Sequence, residues 1–303
     1  MKKILITGKN GQVGWELQRA LVSSRQIIAI DAEDMDLADA DAIRSTVCEV
    51  RPDIIINPAA YTAVDKAESE PDLALAVNGI APGILAEEAK RTGALLVHYS
   101  TDYVYDGTRT TPHSESDQTN PQSVYGRTKL VGDVAIQASG CKHIILRTSW
   151  VYGVHGGNFV KTILRLAKER DRLTIVSDQF GAPTWARDIA SATVNALIAW
   201  EMSDWSEELG GLYHLTAAGR TNWHEYAQEI VRLARQYDPV LKDKKIEIVG
   251  IATREYPTPA KRPANSVLSN DKVRDVFGIV MPAWQDSLAE CIRLLYEPST
   301  APD

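Results

Sequence analysis

The chain has 303 residues, enough for two modest domains or one large domain with an appended lobe. Its 44% hydrophobic and 24% charged content is that of a soluble globular chain, and a net charge of −7 argues against a nucleic-acid surface, which needs a basic face. Three scattered cysteines, Cys48, Cys141 and Cys291, exclude a disulfide framework or zinc ribbon, and no apolar run approaches the ~20 residues of a membrane span.

Each cysteine is expected to be a small buried hydrophobe in a reducing compartment. The opening "MKKILITG" runs into glycines with no small-residue cleavage site, so a cytoplasmic protein is expected. "KILIT" (Lys3–Thr7) is a first apolar strand, and "GWELQRALVSS" after it has helical spacing. "QIIAID" (Gln26–Asp31) is a second strand, followed by a helix ending near Pro52. "DIIIN" (Asp53–Asn57) is a third strand, and an alanine-rich helix covers Pro71 to Thr92. "ALLVHYS" (Ala94–Ser100) and "HIILRTS" (His143–Ser149) are a fourth and a fifth strand, with a helix around Tyr125 between them.

Short apolar strands alternating with helices predict an α/β fold, a doubly wound parallel (Rossmann) sheet covered on both faces. Later segments are less regular. "NFVKTILRLAKE" and "WHEYAQEIVRLARQ" read as amphipathic helices, "LTIVSD" and "KIEIVG" as strands, and "YPTPAKRP" as extended. The expected division is a dinucleotide-binding domain over 1–150 and a smaller mixed α/β substrate lobe over 151–303, with some later chain returning to the sheet.

Four stretches carry chemistry. "GKNGQVG" places Gly8, Gly11 and Gly14 between the first strand and the first helix, where a backbone without Cβ atoms approaches a pyrophosphate at a helix N-terminus. Asp31, ending the second strand, suits adenosine ribose hydroxyls and leans toward NADH, whereas Lys9 leans toward NADPH; Asp36 and Leu37 follow nearby. "NPAAYTAVD" (Asn57–Asp65) puts small residues at a strand end, and "HYSTDYVYDG" (His98–Gly107) brings Ser100, Thr101 and Asp102. In "SVYGRTK", Tyr125 and Lys129 share a helix face one turn apart. An ammonium there is expected to lower the phenol's pKa from about 10 toward neutrality, making it a proton donor and acceptor for a ketone. The histidines show no HExxH spacing, so no catalytic metal is indicated.

The glycine loop, the 100–101 hydroxyls and the Tyr125/Lys129 pair together resemble the extended short-chain dehydrogenase/reductase superfamily. "GQVGWELQRAL", "AAYTAVDKAESE", "YSTDYVYDG", "RTSWVYG", "DQFGAPT" and "YPTPAKRP" narrow the resemblance to the dTDP-4-dehydrorhamnose reductase family over nearly the whole chain. The resemblance implies reduction of the C4 ketone of dTDP-4-dehydro-L-rhamnose by NADPH or NADH. It implies a catalytic group of Thr101, Tyr125 and Lys129, with Lys129 also on the nicotinamide ribose. Gly11, Gln12 and Val13 would meet the phosphates, and Asp31, Asp36 and Leu37 the adenosine. Ala60, Tyr61, Thr62 and Tyr99 would line the cleft. Thr101, Asp102, Trp150 and Arg262 would meet the sugar nucleotide. Some members dimerise through a carboxylate-held metal. Here Glu16 matches one such acid, but Arg187 and Leu294 stand where the others would be, so a monomer or weak homodimer without a metal bridge is expected. Two rivals remain: a reductase or epimerase of another nucleotide sugar, and a non-catalytic cofactor-binding regulatory subunit. Tyr103, where dehydratases carry glutamate, and the presence of both Tyr125 and Lys129 weigh against the rivals.

Overall fold

The computed structural model describes residues 2–21, 26–204 and 206–297. The predicted first helix extends to Ser24, so its last residues lie outside the described ones. Five strands appear where the apolar runs place them: β1 (Lys3–Ile6), β2 (Gln26–Ala29), β3 (Ile54–Asn57), β4 (Leu95–Thr101) and β5 (His143–Thr148). A sixth, Gly211–His214, was not read from the sequence. All six form one parallel sheet in the order β2-β1-β3-β4-β5-(Gly211–His214).

The strands read as unbroken apolar runs because both faces are covered. Ile4, Ile6, Ile54, Ile56, Leu95 and Val97 belong to one buried cluster, while Leu5, Ile55, Leu96 and Ile145 belong to another. The first cluster includes Leu17 and Leu21 of α1 (Gln12–Leu21). The second takes Ile43 and Val47 of α2 (Ala40–Val50). Cys48 follows Val47 on α2 and therefore faces solvent, which corrects the expectation of three buried cysteines; Cys141 and Cys291 are buried.

The alanine-rich segment is helical throughout but not uniformly α. After α3 (Val64–Ala67) come α4 (Pro71–Leu75), a π turn over Ala76–Ile80, and α5 (Ala81–Thr92). Asn78 sits in the π turn and grips the Tyr61 backbone on both sides, accepting from its N–H at 2.8 Å and donating to its carbonyl at 3.0 Å. The helix holding Tyr125 is α6 (Val124–Ser139), opened by the Ser123 hydroxyl accepting from the Gly126 N–H at 3.1 Å.

Beyond the sheet, α7 (Phe159–Glu169) and the helices Trp223–Ala234 and Trp284–Tyr296 enclose a third apolar cluster. Arg172–Val176 and Glu247–Ile251 pair in parallel beside it. The helix α8 (Ala186–Met202) goes back to the sheet, burying Ile189, Ala196, Leu197 and Trp200 in the first cluster.

One buried ion pair anchors α6 to the sheet. Arg147 of β5 donates from Nε and Nη2 to Oδ2 of Asp133 at 3.0 and 2.9 Å, both side chains being almost wholly buried. Its Nη1 reaches the Tyr105 hydroxyl at 2.8 Å. Removing one partner leaves an uncompensated charge in the interior. Asp133→Ala is therefore expected to cost about 3–5 kcal/mol in urea unfolding; a loss below about 1 kcal/mol, the scale of exposed pairs, would contradict this reading.

Candidate active site

A cleft of about 530 Å³ opens at the carboxyl ends of the strands, where the chain order reverses between β1 and β3. Gly8, Gly11, Gln12, Val13 and Gly14 line it at the first βα turn. Toward the edge strand β2 it is lined by Asp31, Asp36 and Leu37, and toward β4 by Ala60, Thr62, Tyr99, Tyr125 and Lys129.

The glycine loop tolerates no side chain at its tightest point. Gly8 has a φ of +62°, and a Cβ on Gly14 would lie 2.1 Å from the Gly8 carbonyl oxygen. The loop is tied to the end of β2, with the Lys9 N–H donating to Ile30 at 3.0 Å and the Asn10 N–H to Asp31 Oδ2 at 2.9 Å. A second segment clasps it from outside. His155 stacks on Trp15 with its Nε2 at 2.9 Å from the Asn10 carbonyl, Asn158 donates to Gln12 Oε1 at 3.0 Å, and Gly156 and Gly157 reach the cleft. The Lys9 ammonium is engaged by Asp34 at 2.6 Å, and Asp34 also accepts from the Asp31 N–H at 2.9 Å.

On α6, Tyr125 and Lys129 project on one face as the spacing predicts. The helix approaches the turn after β4 so closely that a Cβ on Gly126 would lie 2.2 Å from the Tyr103 carbonyl oxygen. The Tyr103 and Tyr125 rings meet edge to face at 5.5 Å. Burial pushes the Tyr125 phenol up to about 12; Thr101, bonding to it, pulls the other way, and the Asp102 charge adds to the rise. The expected lowering toward neutrality by Lys129 is thus not what the free chain has. The lysine aims elsewhere: its Nζ donates to the Tyr99 carbonyl at 2.7 Å and lies 3.1 Å from His98 Nε2. Burial brings the lysine down to about 8 against the opposing pull of Asp133. Desolvation dominates at Tyr125, so the phenol keeps its proton at neutral pH.

Thr101 is buried, donating to Asp102 Oδ1 at 3.1 Å. Asp102 is pushed up to about 6 by burial, which outweighs hydrogen bonds from Ser266 and Thr101. Tyr99 lines the cleft, but its hydroxyl pairs with Thr193 of α8 at 2.7 Å, so it offers the cleft no phenol. Tyr61 does not line the cleft: its hydroxyl donates to Glu70 at 2.6 Å. Trp150 adopts a φ of +48°, a left-handed conformation rare for a bulky side chain. Its indole stacks on Trp223 at 3.6 Å, above Gly181, where a Cβ would come within 2.5 Å. Arg262 makes a bidentate pair with Asp65, 2.9 Å on each arm, so its fork is already filled. Arg187 lies 3.7 Å from Glu16, occupying the space beside that carboxylate with its own cation. Leu294 packs in the third apolar cluster. Among the described residues no group of three His, Cys, Asp or Glu is placed to hold a metal.

A parallel sheet with a glycine loop at its first βα turn and a Tyr/Lys helix beside the cleft is the arrangement of the short-chain dehydrogenases/reductases. The comparisons are narrower. The family model described as RmlD substrate binding domain matches residues 1–297. A curated dTDP-4-dehydrorhamnose reductase of Burkholderia thailandensis is 47% identical over 96% of this chain and 98% of its own length. A solved dTDP-4-dehydrorhamnose reductase of Clostridium acetobutylicum superposes with a TM-score of 0.88 at 40% identity, covering 97% of this chain and 99% of that one. Another, from Bacillus anthracis and in complex with NADP, gives 0.87 at 35% identity, covering 96% and 98%. The chain belongs to the dTDP-4-dehydrorhamnose reductase family.

Sequence reading missed Asn57 and His98 beneath the cleft, Asn78 in the π turn, and the 155–158 clasp. His98 and Asn57 stood inside quoted motifs, but a strand buried on both faces carries no alternation to show where a polar side chain points. Gly126→Ala is expected to displace α6 from the Tyr103 turn, lowering thermal stability by about 1–3 kcal/mol and slowing turnover more than it weakens cofactor binding. Wild-type stability and turnover in that variant would show that the close approach is unimportant.

Proposed function

We propose that the chain reduces the C4 ketone of dTDP-4-dehydro-L-rhamnose to dTDP-L-rhamnose, the last step of dTDP-L-rhamnose synthesis, at the expense of NADH or NADPH. The observation that carries this reading is the Tyr125 phenol on the cleft that begins at the glycine loop, next to Thr101 and with its pKa pushed up by burial. A nicotinamide dinucleotide fits the residues present: the N-terminus of α1, a loop held close by Gly8 and Gly14, and Asp31 for ribose hydroxyls. When bound, the dinucleotide supplies the hydride.

The protein's own residues do the rest. Thr101 and Tyr125 hold the ketone oxygen, and Tyr125 gives it a proton as the carbonyl carbon is reduced. A neutral phenol suits this direction, since the developing alkoxide is the stronger base. Lys129 donates to the Tyr99 carbonyl and lies against His98 Nε2, leaving an N–H for the ribose on the cleft side. Trp150 and Asp102 stand beside the sugar; Arg262 reaches a diphosphate only by leaving Asp65.

Residues 1–150 mainly serve the dinucleotide and 151–303 mainly the sugar nucleotide, with α8 and the sixth strand returned to the sheet. A cytoplasmic protein, monomeric or weakly dimeric, is consistent with Arg187 beside Glu16 and with the absence, among the described residues, of a helix long and apolar enough to cross a membrane.

NADH and NADPH oxidation with the 4-keto sugar generated in the cuvette tests the activity. Consumption that continues without the keto sugar, or never starts, would defeat it. Tyr125→Phe should cut turnover about 10²-fold while leaving NADH affinity intact; undiminished turnover removes Tyr125 from its role. The Lys9–Asp34 pair points to NADH, because the cation facing a 2′-phosphate is already neutralised. Asp34→Ala should raise affinity for NADPH relative to NADH about tenfold, one charge-assisted contact's worth. An unchanged ratio in fluorescence titrations would detach the pair from cofactor choice.

A further inference from the structure

Below the cleft floor four polar side chains form a line across three neighbouring strands. Thr7 follows β1, Asn57 ends β3, His98 lies in β4, and Lys129 comes down from α6. All are buried, with exposures of 2%, 0%, 0% and 1%. Thr7 Oγ1 is 2.6 Å from Asn57 Oδ1, Asn57 Nδ2 is 3.0 Å from His98 Nδ1, and His98 Nε2 is 3.1 Å from Lys129 Nζ.

Proton counting allows this line two arrangements. An imidazole with one N–H donates on one side and accepts on the other. An ammonium at Lys129 needs His98 Nε2 as acceptor, which puts the ring proton on Nδ1 and turns the Asn57 carbonyl toward it. The amide orientation given above is the reverse: Asn57 Nδ2 faces Nδ1, the ring proton is on Nε2, and Lys129 presents a lone pair. Loss of the lysine proton, the ring tautomer and the amide orientation therefore change together. A doubly protonated ring is disfavoured, since burial and the adjacent lysine hold the His98 pKa well below its ordinary value. The other charges near the lysine are on or against α6: Asp133 one turn on, itself paired with Arg147 of β5, and the neutral Tyr125 one turn back. Among the described residues, the strands contribute His98 and the Tyr99 carbonyl to its hydrogen bonds.

We propose that His98 is a positioning residue for Lys129: its neutral ring, braced by Asn57 and Thr7, accepts from the ammonium, aims the remaining N–H into the cleft, and changes tautomer when that ammonium loses its proton. This rests on the cofactor-binding role given to Lys129 above. It makes the lysine's proton state a property of the strand ends under the glycine loop as well as of the helix that carries it.

Two variants divide the ring's two contacts. His98→Gln places an amide oxygen near the position of Nε2 and keeps an acceptor for Lys129. His98→Asn reaches only the position of Nδ1 and leaves the lysine short of one. NADH affinity, followed by fluorescence, should fall at a pH about one unit lower in His98→Asn than in the wild type, the scale of one lost hydrogen bond to the charged form. His98→Gln should keep the wild-type profile. A wild-type profile in His98→Asn, or equal shifts in both variants, overturns the proposal.

The wild-type protein supplies a second measurement that needs neither variant to fold. The ring nitrogens of ¹⁵N-histidine-labelled protein, followed from about pH 6 to pH 10 across the lysine range, should exchange Nδ1–H for Nε2–H at His98. One fixed tautomer, or a ring that becomes cationic, overturns it. Neither readout uses the sugar. An enzyme inert toward the keto sugar whose ring still exchanges would defeat the reductase reading and leave this one standing.

Discussion

A buried charge needs partners, and the site is organised around two of them on one helix. Asp133 is matched by Arg147 from β5 and Lys129 by acceptors from β4, so α6 is tied to the sheet at successive turns. Neither tie is a free gain in stability, because taking charges out of water costs about what their attraction returns. What they supply is position. With both satisfied, α6 has one depth and one rotation against the sheet, and Gly126 lets it settle onto the Tyr103 turn. Tyr125 then faces Thr101 because the helix has nowhere else to go.

Burial also sets the chemistry. The same exclusion of water that weakens the lysine's hold on its proton strengthens the phenol's. The lysine comes down to about 8 and the phenol goes up to about 12, so the tyrosine keeps the proton that a reduction needs. No ionised tyrosine is required in the free protein.

Much of this was legible in the sequence, and the illegible parts share a cause. The five strands declared themselves because burial on both faces leaves unbroken runs such as Ile54–Ile56. The glycine loop did so because Gly14 has no substitute there, and the Tyr125/Lys129 pair because helical spacing is fixed. Direction was not legible. Spacing placed Lys129 beside Tyr125, but only the three-dimensional neighbours show its Nζ turned to His98 and Tyr99. The family resemblance placed Tyr61 on the cleft wall, yet Glu70 draws its hydroxyl away. Cys48 followed the rule for its kind on paper and faces solvent because Val47 beside it takes the inward position. Some later chain was expected to return to the sheet, but that it is α8 was not legible, because a helix burying Ala186, Ile189, Ala190 and Leu197 carries no mark of which surface it meets.

The clasp of His155 and Asn158 on the glycine loop joins the two halves of the chain at the place where a dinucleotide's phosphates would lie. A ligand on that loop would lie against a segment continuous with Trp150 on one side and α7 on the other. Two ligands that share a movable wall are thermodynamically linked, and linkage is symmetric. If the reduced cofactor tightens the hold on the sugar by some factor, the sugar tightens the hold on the cofactor by that same factor.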